Sequence, residues 1–121
     1  MPLSACMTLD QLTEQVRAAL ADQGLRPLAT VRESARLTDV ATISASGASW
    51  MFRCAETVED DDHLALATIL AQGPFERAAL VYANASPIAE RNEGFSDRAA
   101  ICSLERLPAL LADWRRKDRA P

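Results

Sequence analysis

Few residues of this chain are suited to acid–base, nucleophilic or metal chemistry. His63 is the only histidine, and the three cysteines, Cys6, Cys54 and Cys102, lie far apart with no CxxC spacing. A Ser-His-Asp triad needs a histidine between two partners, and zinc sites use several Cys or His ligands. An odd number of scattered cysteines is also untypical of a disulfide framework. The sequence therefore argues against histidine-based catalysis, a zinc site and a disulfide-stabilised fold.

Each of these residues also has a plain structural interpretation. Cys54 and Cys102 fall in apolar segments, which predicts buried small hydrophobes instead of nucleophiles. Cys6, in an N-terminal stretch with little structure, is predicted to be exposed. His63 is predicted to be a solvated residue in the first turn of a helix, with no catalytic role.

The aromatic residues Trp50 and Phe52 alternate along a predicted strand. They share one face with Cys54, while Met51 and Arg53 lie on the other. Exposed aromatic residues at this spacing would form a stacking platform for single-stranded nucleic acid. Because the chain is acidic overall, packing in the core is the favoured interpretation.

An acidic run comprises Glu56 and residues 59–62. Clustered carboxylates can hold a hard cation, but this run lacks the glycine and the alternating spacing of an EF-hand loop. Acidic residues also stabilise the N-terminus of a helix without any metal. The run therefore predicts the start of a helix.

The whole chain has the size and composition of one soluble domain spanning residues 1–121. It carries a formal net charge of −4 and 49% hydrophobic residues. The charge gives no general footprint for nucleic acid, and no apolar run approaches the ~20 residues that span a bilayer. The N-terminus lacks a secretory signal, which predicts a cytoplasmic protein. Residues 1–7 are expected to be poorly ordered, and residues 118–121 are expected to form a tail.

Local signals place the elements that must position these residues. Thr8 and Gln11 fit a capping box at the start of a helix, and Gly24 and Pro27 fit its end. The spacing of apolar and turn residues predicts helices over 9–23, 64–71 and 107–117, strands over 28–31, 39–44, 50–54, 78–82 and 99–102, and a variable loop or short helix over 86–95. The order α-β-β-β-α-β-(variable)-β-α predicts an α/β fold with a mixed sheet flanked by helices.

From about Leu9 to Trp114, this order resembles the restriction-endonuclease-like fold, the PD-(D/E)XK superfamily, especially its Mrr-like branch. The resemblance implies an acid on the second strand and a (D/E)xK tripeptide on the third, which together bind a divalent metal and activate water. Asp39 matches the first acid. Residues 53–55, Arg-Cys-Ala, stand where the tripeptide would fall, and the only lysine is Lys117. The resemblance therefore implies a nuclease-like fold that has lost its active site.

Three functions remain open on the sequence. The leading hypothesis is a non-catalytic domain, without cofactor or metal, that binds a protein partner or a second copy of itself. The first alternative is a Mg²⁺-dependent nuclease in which Asp39 and Glu56 bind the metal and Arg53 lies near the scissile phosphate. The second is an acidic, immunity-type inhibitor that masks a basic enzyme.

Overall fold

A mixed six-stranded sheet organises residues 6–118, the part of the chain that the computed structural model describes. The elements are α1 (Leu9–Asp22), β1 (Arg26–Arg32), β2 (Leu37–Ile43), β3 (Ser49–Ala55), α2 (Asp62–Gln72), β4 (Arg77–Tyr82), α3 (Pro87–Asn92), β5 (Gly94–Phe95), β6 (Ala99–Ser103) and α4 (Leu107–Asp118). A single 3₁₀ turn, Leu104–Arg106, joins β6 to α4. The predicted α/β fold is confirmed, and so is the predicted order of its main elements.

The sheet order is β1-β2-β3-β4-β6-β5. β1, β2 and β3 form an antiparallel meander, whereas β3, β4 and β6 run parallel to one another. β5 pairs antiparallel with β6 through only two residues, Gly94 and Phe95. The sequence interpretation missed β5 because so short a strand shows no alternation. The short helix that it allowed within 86–95 is α3.

α1 forms where the sequence signals place it. The Thr8 hydroxyl accepts a hydrogen bond from the Gln11 amide, and the Gln11 side chain accepts one from the Thr8 amide. Gly24 has a φ of +79°, a left-handed conformation that glycine adopts without a steric penalty. The buried side chains of α1 are Leu9, Leu12, Thr13, Val16 and Leu20. They lie on one stripe of the helix, which packs against the sheet.

Two separate cores lie on the two faces of the sheet. α1 and α4 cover the face that carries Trp50, Phe52 and Cys54. α2 and α3 cover part of the opposite face, which carries Met51 and Leu80. The predicted division of β3 between its faces is confirmed, and Trp50 and Phe52 are core residues with no exposed surface.

Arg77 is enclosed by the two tryptophans of the first core. The rings of Trp50 and Trp114 meet edge to face with centroids 5.8 Å apart. The Arg77 guanidinium carbon lies 5.6 Å from one ring centroid and 5.7 Å from the other. Cation–π attraction and the hydrogen bond from Arg77 to the Asp97 carbonyl hold the charge there. Within residues 6–118, Trp50 Nε1 and Arg77 Nε have no hydrogen-bond partner.

The chain ends fall largely outside the described residues. Of the segment expected to be poorly ordered, residues 1–5 lie outside, while Met7 exchanges two backbone hydrogen bonds of 2.9 Å with the Asn84 amide group. Of the expected tail, residues 119–121 lie outside, and Asp118 closes α4 with its carboxylate bonded to Ser44 and Ser46. No helix in the described part of the chain is long and apolar enough to cross a bilayer.

The helices leave one part of the sheet uncovered. α2 packs on β4 and β6, at one side of its face of the sheet. β1 and β2 lie at the other side, and β1 is an edge strand whose residues are exposed, except for the half-buried Pro27. Among the exposed apolar side chains, Leu28 retains 54%, Val31 55% and Ile43 41% of its surface. An apolar part of the sheet is therefore open to solvent.

Candidate functional site

The uncovered part of the sheet forms a cleft of about 380 Å³, called the open cleft below. Its lining residues are Ala29, Val31 and Glu33 from β1 and its end, Asp39 and Ala41 from β2, Met51 and Arg53 from β3, and Ile69 and Phe75 at the border with α2. The strand residues alternate in sequence because successive side chains of a strand point to opposite faces. The open cleft is mostly apolar, and its charged lining residues are Asp39 and Arg53 at the floor and the exposed Glu33 at the rim.

The charges at the floor form one ion pair, Asp39–Arg53. The two residues are directly opposite each other in the register of β2 and β3. Arg53 donates from Nε to Asp39 Oδ1 at 2.7 Å and from a terminal nitrogen to Oδ2 at 2.9 Å. Only 9% of the Arg53 side chain and 20% of the Asp39 side chain are exposed. The hydrogen bonds that Arg53 donates to Asp39 raise the pKa of Arg53 despite its burial, so this guanidinium stays charged.

The pairing of Asp39 with Arg53 depends on the register of the β2–β3 hairpin. The β2–β3 hairpin is centred on Ser46, and the two residues lie equally far from it along the chain, so the antiparallel register places them side by side. The sequence interpretation brought them together only through the nuclease resemblance. In the structure each carboxylate oxygen of Asp39 accepts a hydrogen bond from Arg53. A metal bound by Asp39 would have to compete with that guanidinium.

Glu56, the other ligand of the nuclease alternative, does not line the open cleft. It follows β3, where its amide donates to the Arg36 carbonyl and its carbonyl accepts from the Asn84 side chain. The structure thus brings Asp39 and Arg53 together and leaves Glu56 apart. Within residues 6–118, no three His, Cys, Asp or Glu side chains gather as they would around a metal ion.

The acidic run is built around Asp62, which is buried in the first turn of α2. Arg36 donates to both of its carboxylate oxygens, at 2.9 and 3.0 Å, and the Glu59 amide donates at 2.8 Å. The hydrogen bonds with Asp62 raise the pKa of Arg36. This network joins the β1–β2 connection to the start of α2. The sequence interpretation began this helix at residue 64, two residues late, and missed Arg36, because nothing local links residues 26 positions apart.

Asp60, in the same acidic run, bonds to α3. Arg91 donates to both Asp60 oxygens at 2.9 and 3.0 Å, and Asn92 donates at 3.1 Å. These donors lower the pKa of the Asp60 carboxyl group. His63 is exposed, and its Nδ1 lies 2.8 Å from the Asp60 carbonyl oxygen. The prediction of a solvated first-turn histidine is confirmed.

The cysteines have the predicted environments. Cys54 and Cys102 have no exposed surface, and burial raises the pKa of each thiol to about 12. Both thiols are therefore protonated at neutral pH and unsuited to nucleophilic attack. Cys6 is exposed, as predicted.

The open cleft is the candidate functional site because it combines exposed apolar surface with a fixed, charged floor. Comparison with known proteins gives no further guide: no family model, no curated protein and no solved structure matches this chain. The function therefore has to be inferred from the geometry of the described residues.

Proposed function

We propose that this chain is a non-catalytic binding domain that holds one helix of a partner protein in the open cleft. The observation that carries the proposal is the uncovered apolar part of the sheet beside α2, where Val31 is 55% exposed. A sheet in an α/β fold buries its apolar face under helices, and α2 covers only part of this one. A helix from another protein would extend the layer that α2 begins.

The size and shape of the lining favour a helix as the occupant. Ala29 and Ala41 lie directly opposite each other on β1 and β2, and their small side chains let a helix approach the sheet closely. Met51, Ile69 and Phe75 provide flexible and aromatic walls on the α2 side. An amphipathic helix that places residues i, i+3, i+4 and i+7 on such a surface is a common mode of recognition.

The charge of the open cleft indicates one further property of the partner. The lining holds two carboxylates, Glu33 and Asp39, but only one guanidinium, Arg53. Arg53 already compensates the negative charge of Asp39, so the excess negative charge lies at Glu33, on the rim of the open cleft. A lysine or arginine at one end of the apolar stripe would complement this rim and add specificity.

The edge of β1 favours a partner helix over a second copy of the chain paired strand to strand. Pro27 removes a backbone donor, and the register shifts between Pro27 and Ala29, which marks a bulge. Arg26 and Arg32 place like charges at the two ends of the strand. Proline, bulges and charges on an edge strand all hinder edge-to-edge pairing.

We also propose that the fold is of the restriction-endonuclease-like kind. The antiparallel meander that carries Asp39 on its second strand, followed by a helix and the buried strand β4, supports a restriction-endonuclease-like fold without its active site. The position of the missing lysine is held by Ala55, which is buried in the core beneath α2. Arg53 is fixed by Asp39, and an arginine is a poor group for proton transfer.

Selection of helical peptides from a display library against the full chain tests the proposal. We expect the selected peptides to share an apolar stripe and one basic residue. Val31→Lys should weaken their binding about tenfold or more, because it places a charge in the apolar contact. Leu64→Lys is the matched control, since Leu64 is 59% exposed on α2 but does not line the open cleft.

Three results would contradict the proposal. They are failure to select helical binders, equal effects of Val31→Lys and Leu64→Lys, and a homodimer in sedimentation that Val31→Lys dissociates. The last would make a second copy the occupant. Calorimetric titration with Mg²⁺ tests the nuclease alternative: saturable binding that both Asp39→Ala and Glu56→Ala abolish would support it.

A further inference from the structure

A second cleft, of about 530 Å³, lies at the carboxyl ends of the parallel strands β4 and β6. It is independent of the open cleft and shares no lining residue with it. Tyr82 ends β4 and Ser103 ends β6, and both line this carboxyl-end cleft. Ligand sites in open α/β sheets commonly lie beyond the carboxyl ends of the strands.

Tyr82 is the unusual residue of the carboxyl-end cleft. It is only 4% exposed, yet its hydroxyl forms no hydrogen bond with any residue from 6 to 118. Among residues 6–118, the fully buried side-chain polar atoms without a partner are Trp50 Nε1 and Arg77 Nε, so the Tyr82 hydroxyl is open to the solvent of the cleft, where a ligand can reach it. Burial and the nearby Glu93 raise the pKa of Tyr82, so the hydroxyl stays protonated at neutral pH. It can both donate and accept a hydrogen bond in the cleft.

The other polar groups of the carboxyl-end cleft are mainly acidic. Glu90 and Glu93 come from α3 and its end, and Glu105 comes from the 3₁₀ turn. The one cationic residue in the lining is Arg106, which is 63% exposed and lies 3.6 Å from the Glu93 carboxylate. The lining therefore has an excess of negative charge. The Glu93 side chain is only 20% exposed, which places this carboxylate deeper than its exposed neighbours.

The apolar part of the lining suits an aliphatic chain. Met7, Ala83, Ala85 and Leu104 complete the cleft. Met7 is held in place by its two hydrogen bonds with Asn84. A ligand that combines a positive charge with a chain of methylene groups would match both parts of the surface.

We propose that the carboxyl-end cleft binds an organic cation, a primary ammonium or guanidinium group carried on an aliphatic stem. The cation contacts the Glu93 carboxylate and the Tyr82 hydroxyl oxygen, while Met7 and Leu104 contact the stem. Glu90 and Glu105, at the exposed rim, attract the ligand. A free polyamine and a lysine or arginine side chain of a peptide share this chemistry.

Calorimetric titration of the full chain with spermidine, and separately with a short arginine-containing peptide, tests the proposal. We expect saturable binding at one site. Tyr82→Phe keeps the ring and removes the hydroxyl, and Glu93→Gln removes the charge but keeps the shape. Each should weaken binding about tenfold, as expected for loss of a hydrogen bond or ion pair to a charged ligand. Glu14→Gln is the control, because Glu14 is exposed on α1 and does not line this cleft.

The result that would overturn the proposal is equal affinity in all three variants, which would mean diffuse attraction to a chain of net charge −4. Absence of binding of either probe would overturn it as well. Binding of spermidine would identify a free polyamine as a sufficient ligand, and binding of the peptide alone would identify a side chain of a protein. Both results would support the cation site. Circular dichroism of each variant verifies that the fold is intact.

Discussion

At the scale of single residues, Asp39 and Arg53 depend on each other. Asp39→Ala would leave Arg53, with 9% of its side chain exposed, without its partner. We expect the free energy of unfolding to fall by about 1–3 kcal/mol, because an enclosed charge would lose its compensation. Urea titration of Asp39→Ala, Arg53→Ala and the double variant measures the coupling. If the losses in the free energy of unfolding of the two single variants simply add up to that of the double variant, the interaction between Asp39 and Arg53 contributes nothing to stability.

The thiols give a second prediction at this scale. Because burial raises the pKa of Cys54 and Cys102 to about 12, neither should react with a thiol reagent in the folded protein. Cys6 is exposed and should react at once. Ellman's reagent should therefore detect one thiol in the native chain and three in urea. Fast reaction of two or more thiols in the native chain would show that the core opens readily.

At the scale of elements, Gly24 decides how α1 ends. Its φ of +79° is unfavourable for a side chain, whereas Gly94 has no positive φ and open space around it. We expect Gly24→Ala to lower the free energy of unfolding by about 1 kcal/mol and Gly94→Ala to leave it nearly unchanged. Thermal unfolding of the two variants measures the difference. Equal effects would mean that the α1–β1 turn adapts to alanine.

The elements also show what a sequence can predict. α1 was predictable because Thr8, Gln11 and Gly24 mark its ends and its apolar residues have helical spacing. β5 was not, since two residues carry no pattern. The open cleft was also beyond reach, because it depends on how much of the sheet α2 covers. The side chains that line it are ordinary strand residues in the sequence.

At the scale of the whole molecule, the salt dependence of the association rate distinguishes binding through the open cleft from binding through the net charge. Binding of a helix to a mostly apolar cleft should have an association rate that falls only modestly between about 0.05 and 0.5 M salt, because one basic residue opposite Glu33 gives little electrostatic steering. Stopped-flow measurement with a selected peptide tests this. A steep fall in the rate with salt would instead support the acidic, immunity-type inhibitor.

Trp50 and Trp114, which enclose Arg77, are intrinsic fluorescence probes of unfolding. These are the only two tryptophans, and both are fully buried on the α1–α4 face, opposite the open cleft. Their fluorescence emission should shift to the red when the chain unfolds and stay constant when a helix occupies the open cleft. Folding and docking can thus be followed separately in one cuvette, without a dye or an added label.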